Sequence, residues 1–130
     1  MEMRITFPGG KRVDAELPGR VIHTDQSKLS GGEGTAPEPF SLFLASVGTC
    51  AGIYVLGFCQ ARNIPTDGLQ LTQHMDFDPK THRLTKVAID VHLPPGFPEK
   101  YLPSVRRAVD LCAVKKTIEN PPEFITEVLD

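Results

Sequence analysis

The stretch Pro39-Phe40-Ser41-Leu42-Phe43-Leu44-Ala45-Ser46-Val47-Gly48-Thr49-Cys50-Ala51-Gly52-Ile53-Tyr54-Val55-Leu56-Gly57-Phe58-Cys59 holds no charged side chain, and its reading decides the fold. Pro39 suits the first turn of a helix, where its missing N–H costs nothing, and the apolar run continues to Arg62-Asn63 before Pro65 forbids extension. Apolar residues fall on every side, so such a helix must be buried on nearly every face. One small sheet covers only part of it. A further layer is needed, most simply the same helix from a second copy, with Gly48 and Gly52 letting two backbones approach. At about 20 residues the stretch is also long enough to cross a bilayer. Its small interior residues, the lack of aromatic belts and basic flanks, and strand patterning elsewhere favour burial in protein, with no membrane partner.

Upstream, Met3, Ile5 and Phe7 alternate with Arg4 and Thr6, and Pro8-Gly9-Gly10 turns the chain into Arg12 to Leu17, where Val13, Ala15 and Leu17 alternate again. Pro18-Gly19 makes a second turn, and Arg20 to Thr24 reads as a third strand. Asp25 to Pro37 is a long loop in which Gly31, Gly32 and Gly34 permit backbone angles other residues resist. Downstream, Leu69, Leu71, Met75 and Phe77 share one parity and Val87, Ile89, Val91 and Leu93 another, flanking the turn Asp78-Pro79-Lys80-Thr81 as a long antiparallel hairpin. After Pro94, Pro95 and Pro98, Tyr101 to Leu111 has helical spacing, with Pro103 in its first turn. A short helix, Val114 to Glu119, stops before Asn120-Pro121-Pro122, and Phe124 to Leu129 is expected as a last strand. The class is α+β, and with neither repeats nor a linker the whole of 1–130 reads as one domain.

Composition agrees: 40% apolar and 23% charged residues in 130 are those of one ordinary globular core. A net charge of -2 without runs of Lys or Arg leaves nothing to neutralise phosphates, which argues against nucleic acid as a partner. Three cysteines are an odd number, and the opening Met1-Glu2-Met3-Arg4 lacks the pattern of a secretory signal, so a reducing cytoplasm is the expected compartment.

Free cysteine most often packs as a small hydrophobe, and Cys59 keeps that reading. Cys50 sits among Ser46, Gly48, Thr49, Ala51 and Gly52, which leave room beside it and offer donors to a thiolate. Cys112 precedes the short Val114 helix, whose dipole is expected to favour its anion. Phe40, Phe43 and Val47 are candidates for an apolar substrate lining. A metal site is not expected: no Cys-x2-Cys or His-x3-His pair occurs, and His23, His74, His82 and His92 are scattered over strands and turns. Gly-Gly-Glu-Gly at 31–34 lacks the Lys-Ser/Thr ending of a P-loop, and the Gly-x-Ser-x-Gly elbow of a serine hydrolase is missing. No cofactor is implied.

The order Gly31-Gly32, Gly34-Thr35-Ala36-Pro37, the helix running to Thr49-Cys50, then Leu111-Cys112-Ala113-Val114-Lys115-Lys116-Thr117-Ile118, resembles the OsmC/Ohr superfamily over nearly the whole chain. The 62 residues between Cys50 and Cys112 are of that family's size. The resemblance implies an OsmC-like fold, with antiparallel sheets wrapped around a long buried central helix in an intertwined homodimer. It also implies reduction of a small-molecule organic hydroperoxide, with Cys50 as the attacking thiolate, Cys112 as the resolving thiol and an external dithiol as reductant. The family's activating Glu follows the proline at the helix start. Counting from Pro39 places Phe40 there, and Glu38 is the neighbouring candidate, about 18 Å from Cys50 if one helix ran unbroken between them. For the family's activating Arg, Arg20 is the first candidate and Arg12 the second. Ala113 stands where the family usually has proline. The same fold also serves a non-redox reading, a dimeric small-molecule or partner-binding domain with structural cysteines.

Overall fold

The computed structural model describes all 130 residues and contains two compact units, Met1–Ala45 and Ser46–Asp130. The first unit holds three strands, β1 (Arg4–Gly9), β2 (Arg12–Leu17) and β3 (Arg20–Thr24), hydrogen-bonded in sequence order as an antiparallel sheet. The β1–β2 register shifts between Thr6 and Gly9, next to Pro8, which has no N–H to give to the ladder. Gly19, with a φ of 74°, turns β2 into β3, and Leu17 then faces Arg20 across the ladder.

The loop after β3 is tied to itself. Gly32 N–H donates to Ser27 O at 2.9 Å and Gly34 N–H to Gln26 O at 3.0 Å, while Asp25 N–H donates to Pro37 O at 3.2 Å. Gly32 is required here: a Cβ on it would come within 2.1 Å of the Gln26 carbonyl oxygen, a backbone atom that cannot swing aside.

Helix α1 (Pro39–Ala61) begins in the first unit and continues through the second. Its first bond runs from Leu42 N–H to Glu38 O, which puts Pro39 at the position where its lost N–H has no consequence. It ends as expected ahead of Pro65: Asn63 adopts a φ of 52°, Asn63 N–H bonds Gln60 O, and Ile64 N–H bonds Cys59 O at 2.9 Å, the paired closure of a left-handed cap. The helix is buried along one stripe only, Val47, Ala51, Val55 and Cys59 at intervals of four, whereas Ile53 and Tyr54 remain exposed. The expected burial on all sides is not found in the single chain, because one layer cannot surround a rod. By length and composition alone this helix could cross a membrane.

The second unit also contains the hairpin β4 (Gln70–Phe77) and β5 (Leu84–His92), then α2 (Leu102–Asp110) and α3 (Ala113–Glu119). Leu71, Gln73 and Met75 lie opposite Val91, Ile89 and Val87 on one face, and Thr72, His74 and Asp76 opposite Asp90, Ala88 and Lys86 on the other. Asp78 closes the turn, its carboxylate accepting the N–H groups of Lys80 and Thr81, each at 2.8 Å. Gly48 faces the Gln73 side chain, which a Cβ there would approach to 2.6 Å, so the contact this glycine serves lies within the chain; Gly52 looks into open space. Val105, Ala108 and Cys112 complete the core.

The expected strand Phe124 to Leu129 does not form. Residues 121–130 carry no regular structure, and Phe124, Ile125, Val128 and Leu129 stand between 74% and 95% exposed. A strand exists only through the ladder it joins, and no edge within the chain receives this one.

Candidate active site

Both chemically interesting thiols lie in the second unit, and the structure brings them together. Cys50 is on the middle of α1 and half-buried; Cys112 is fully buried in the turn between α2 and α3, and both are free thiols. Pro94, Gly96 and Pro98 end β5 and redirect the chain into α2, and α2 delivers Cys112 to the α1 backbone, where its Sγ lies 4.0 Å from the Val47 carbonyl oxygen.

Three donors and burial set the acidity of Cys50. Hydrogen bonds from the Val114 N–H, then from the Cys112 thiol, and more weakly from the Ala113 N–H hold its thiol below the usual range, against the opposing effect of burial. Burial pushes the Cys112 thiol up, and the neighbouring Cys50 reinforces this, while the Lys115 and Val114 N–H groups offset part of it. The α3 amides favour the Cys112 anion as expected, but burial outweighs them. Cys112 occupies the cap position of α3, with φ −49° and ψ 124°, and of the two thiols Cys50 is the more acidic. Cys59 is buried without exposure and its thiol is raised, chiefly by desolvation, which suits a packing role.

The remaining candidates are placed as follows. Val47 is buried and supplies the carbonyl beside Cys112. Phe40 and Phe43, both partly exposed, stack on each other in the first unit with ring centroids 5.4 Å apart. Glu38 caps the start of α1, and its carboxylate accepts the Ser27 N–H at 3.1 Å. Arg20 opens β3 in an exposed position, and Arg12 is tied to its own turn through Gly9 O at 3.3 Å. His23 pairs with Asp14 at 2.9 Å, His74 with Asp90 at 3.1 Å, and His92 with Thr72 at 2.9 Å.

Two features had no reading in the sequence. The Ala113 and Val114 amides act through backbone, which residue types do not reveal. Asp25 is buried, 1% exposed, and clamps the loop: its carboxylate accepts the Thr35 hydroxyl at 2.7 Å, the Thr35 N–H at 3.1 Å and the Gln26 N–H at 2.7 Å. The Thr35 hydroxyl, foremost among these, holds the carboxyl down at about 2.

A three-stranded sheet, a hairpin and a cysteine-bearing helix, with a second free thiol beside the first, define an α+β protein with a paired-thiol site. The chain belongs to the family described as OsmC-like protein, whose model matches residues 32–127. No curated protein matches it in sequence. Among solved structures it resembles a candidate osmotic stress induced and detoxification response protein of Psychrobacter arcticus 273-4, at 20% identity and a TM-score of 0.73, covering 88% of this chain and 85% of that one. It also resembles an organic hydroperoxide resistance protein OsmC of Legionella pneumophila, at 20% identity and a TM-score of 0.61, over 91% and 89% of the two chains. A third is a candidate organic hydroperoxide resistance protein of Vibrio cholerae with captopril in one of its active sites, at 19% identity and a TM-score of 0.62, over 93% and 86%. At these identities the likeness is one of fold.

Proposed function

We propose that the protein is a thiol-dependent peroxidase that reduces small organic hydroperoxides through Cys50 and Cys112. One observation carries this reading: the Cys112 thiol and two backbone amides converge on the Cys50 sulfur and favour its anion. The Cys50 thiolate attacks the terminal peroxide oxygen, the O–O bond breaks, and the departing alkoxide takes a proton to leave as alcohol. Cys112 then displaces hydroxide from the sulfenic acid, its own proton going into the water released. The peroxide gains two electrons, the two thiols lose them to a disulfide, and an external dithiol returns them.

Family membership supports the wider assignment to hydroperoxide resistance. In this reading the chain works in the cytoplasm as one functional domain in a homodimer. The second copy covers the open faces of α1 and pairs with the tail at 121–130, Phe40, Phe43 and Val47 line the substrate path, and Arg20 and Glu38 of the second copy are the activating cation and acid, since α1 runs unbroken from Pro39. The alternative, a non-redox dimeric binding domain, draws on one observation: the Glu38 carboxylate is engaged by the Ser27 amide and not by a guanidinium. Reduced protein mixed with cumene hydroperoxide separates the two. Rapid loss of two thiols, linking Cys50 to Cys112 by peptide mass and abolished in Cys50→Ser, is expected. Thiols unchanged after minutes of exposure would overturn the peroxidase reading and favour the binding domain.

A further inference from the structure

We infer that the reductant attacks the disulfide at the Cys50 sulfur, so that the protein is reset through a mixed disulfide on Cys50 with Cys112 released. This deepens, and rests on, the proposed Cys50/Cys112 chemistry.

Thiol–disulfide exchange is a displacement at sulfur, and the incoming thiolate must approach along the S–S axis from the side opposite the leaving sulfur. The two sulfurs differ in how far solvent reaches them. Cys112 has no exposed surface, and the Val47 carbonyl lies 4.0 Å from its Sγ. An anionic sulfur could reach Cys112 only if the packing around it opened. Cys50 is only half-buried, and the proposed reaction already requires a path by which a hydroperoxide reaches its sulfur. The access falls to Cys50.

Leaving-group strength points the other way, since the Cys50 thiol is the more acidic of the two and would be the better thiolate to expel. Access decides because an unreachable sulfur does not react whatever its partner's acidity, and the Lys115 and Val114 N–H groups bonded to Cys112 ease its departure as an anion. The thiolate of the reductant forms a bond to Cys50 Sγ, the Cys50–Cys112 bond breaks, and its electron pair leaves on Cys112. Burial then favours protonation of Cys112 from solvent, which holds it back from attacking Cys50 again. The second thiol of the reductant attacks the reductant's own sulfur in the mixed disulfide, and Cys50 departs as the well-stabilised thiolate. Two electrons pass from dithiol to protein.

The test uses the full chain, oxidised with cumene hydroperoxide and peptide-mapped to confirm the Cys50–Cys112 link. Glutathione, a monothiol with no second sulfur for intramolecular release, is then added briefly at low excess, and the products are acid-quenched and mapped. Glutathione on Cys50 with Cys112 free, in about tenfold excess over the reverse as access controls the exchange, is expected. Adduct on Cys112, or equal labelling of both, overturns the inference while leaving the peroxidase reading intact. A first map without the link sinks the peroxidase reading itself, before glutathione enters.

Discussion

Replacing Ala113 with proline removes one of the two backbone donors to Cys50 and little else. Ala113 is the first residue of α3, where proline's fixed φ is already helical and its missing N–H has no partner within the helix. Cys112 before it, at ψ 124°, holds the extended conformation a residue preceding proline prefers. The Ala113 side chain is exposed, so the ring meets water. A hydrogen bond to a charged group contributes roughly 1.5–3 kcal/mol, and because the Ala113 amide contributes less to Cys50 than Val114 does, the lower end applies. About 1.4 kcal/mol is a factor of ten, so the thiolate fraction of Cys50 at a pH below its titration should fall about tenfold in Ala113→Pro, and iodoacetamide alkylation with it. The alkylation rate at Cys50, followed by peptide mass, is the assay; Ala113→Gly, which keeps the N–H, is the control and should match the parent. An Ala113→Pro protein with unaltered circular dichroism that alkylates within about twofold of the parent would refute the amide mechanism of thiolate stabilisation.

Further expectations concern the loop and the tail. Gly32→Ala must displace the Gln26 carbonyl and should lower the melting temperature, whereas Gly10→Ala, with nothing within 4 Å of the added carbon, strains only its own backbone at φ 58° and should be milder; equal losses would contradict the crowding argument. The Asp25 carboxyl, held at about 2 against an ordinary 3.8, contributes stability that is present above the unfolded value and lost as pH falls towards the folded one. Asp25→Asn should therefore show a smaller drop in melting temperature between pH 5 and pH 2 than the parent, and an unchanged acid profile would remove Asp25 from that role. Deleting residues 121–130 should loosen the proposed dimer, read as a shift to lighter species in sedimentation velocity; an undiminished dimer would give the tail another purpose.

Much of the architecture could be read from side chains. The hairpin around Asp78 and the limits of α1 follow from alternation and from Pro39 and Pro65, signals that act locally. Cys112 was legible as a partner for Cys50 only through the family resemblance. The direction of acidity between the two was not, because it depends on which sulfur the α3 amides face and how much water reaches each. The clamp formed by Asp25 was not legible for a similar reason: an acid after a strand looks like ordinary loop polarity until Thr35 folds back onto it. The tail failed differently. Phe124, Ile125 and Val128 have strand composition, but pairing is a property of a neighbour that a single chain does not contain.

The bare flank of α1 bears on how the protein survives heating. With a sheltered stripe of four residues on a rod of 23 uncharged ones, the proposed pairing makes folding and association a single equilibrium. Thermal midpoints would then climb with protein concentration, and a cell that starved this chain of copies would lose its fold along with its partner.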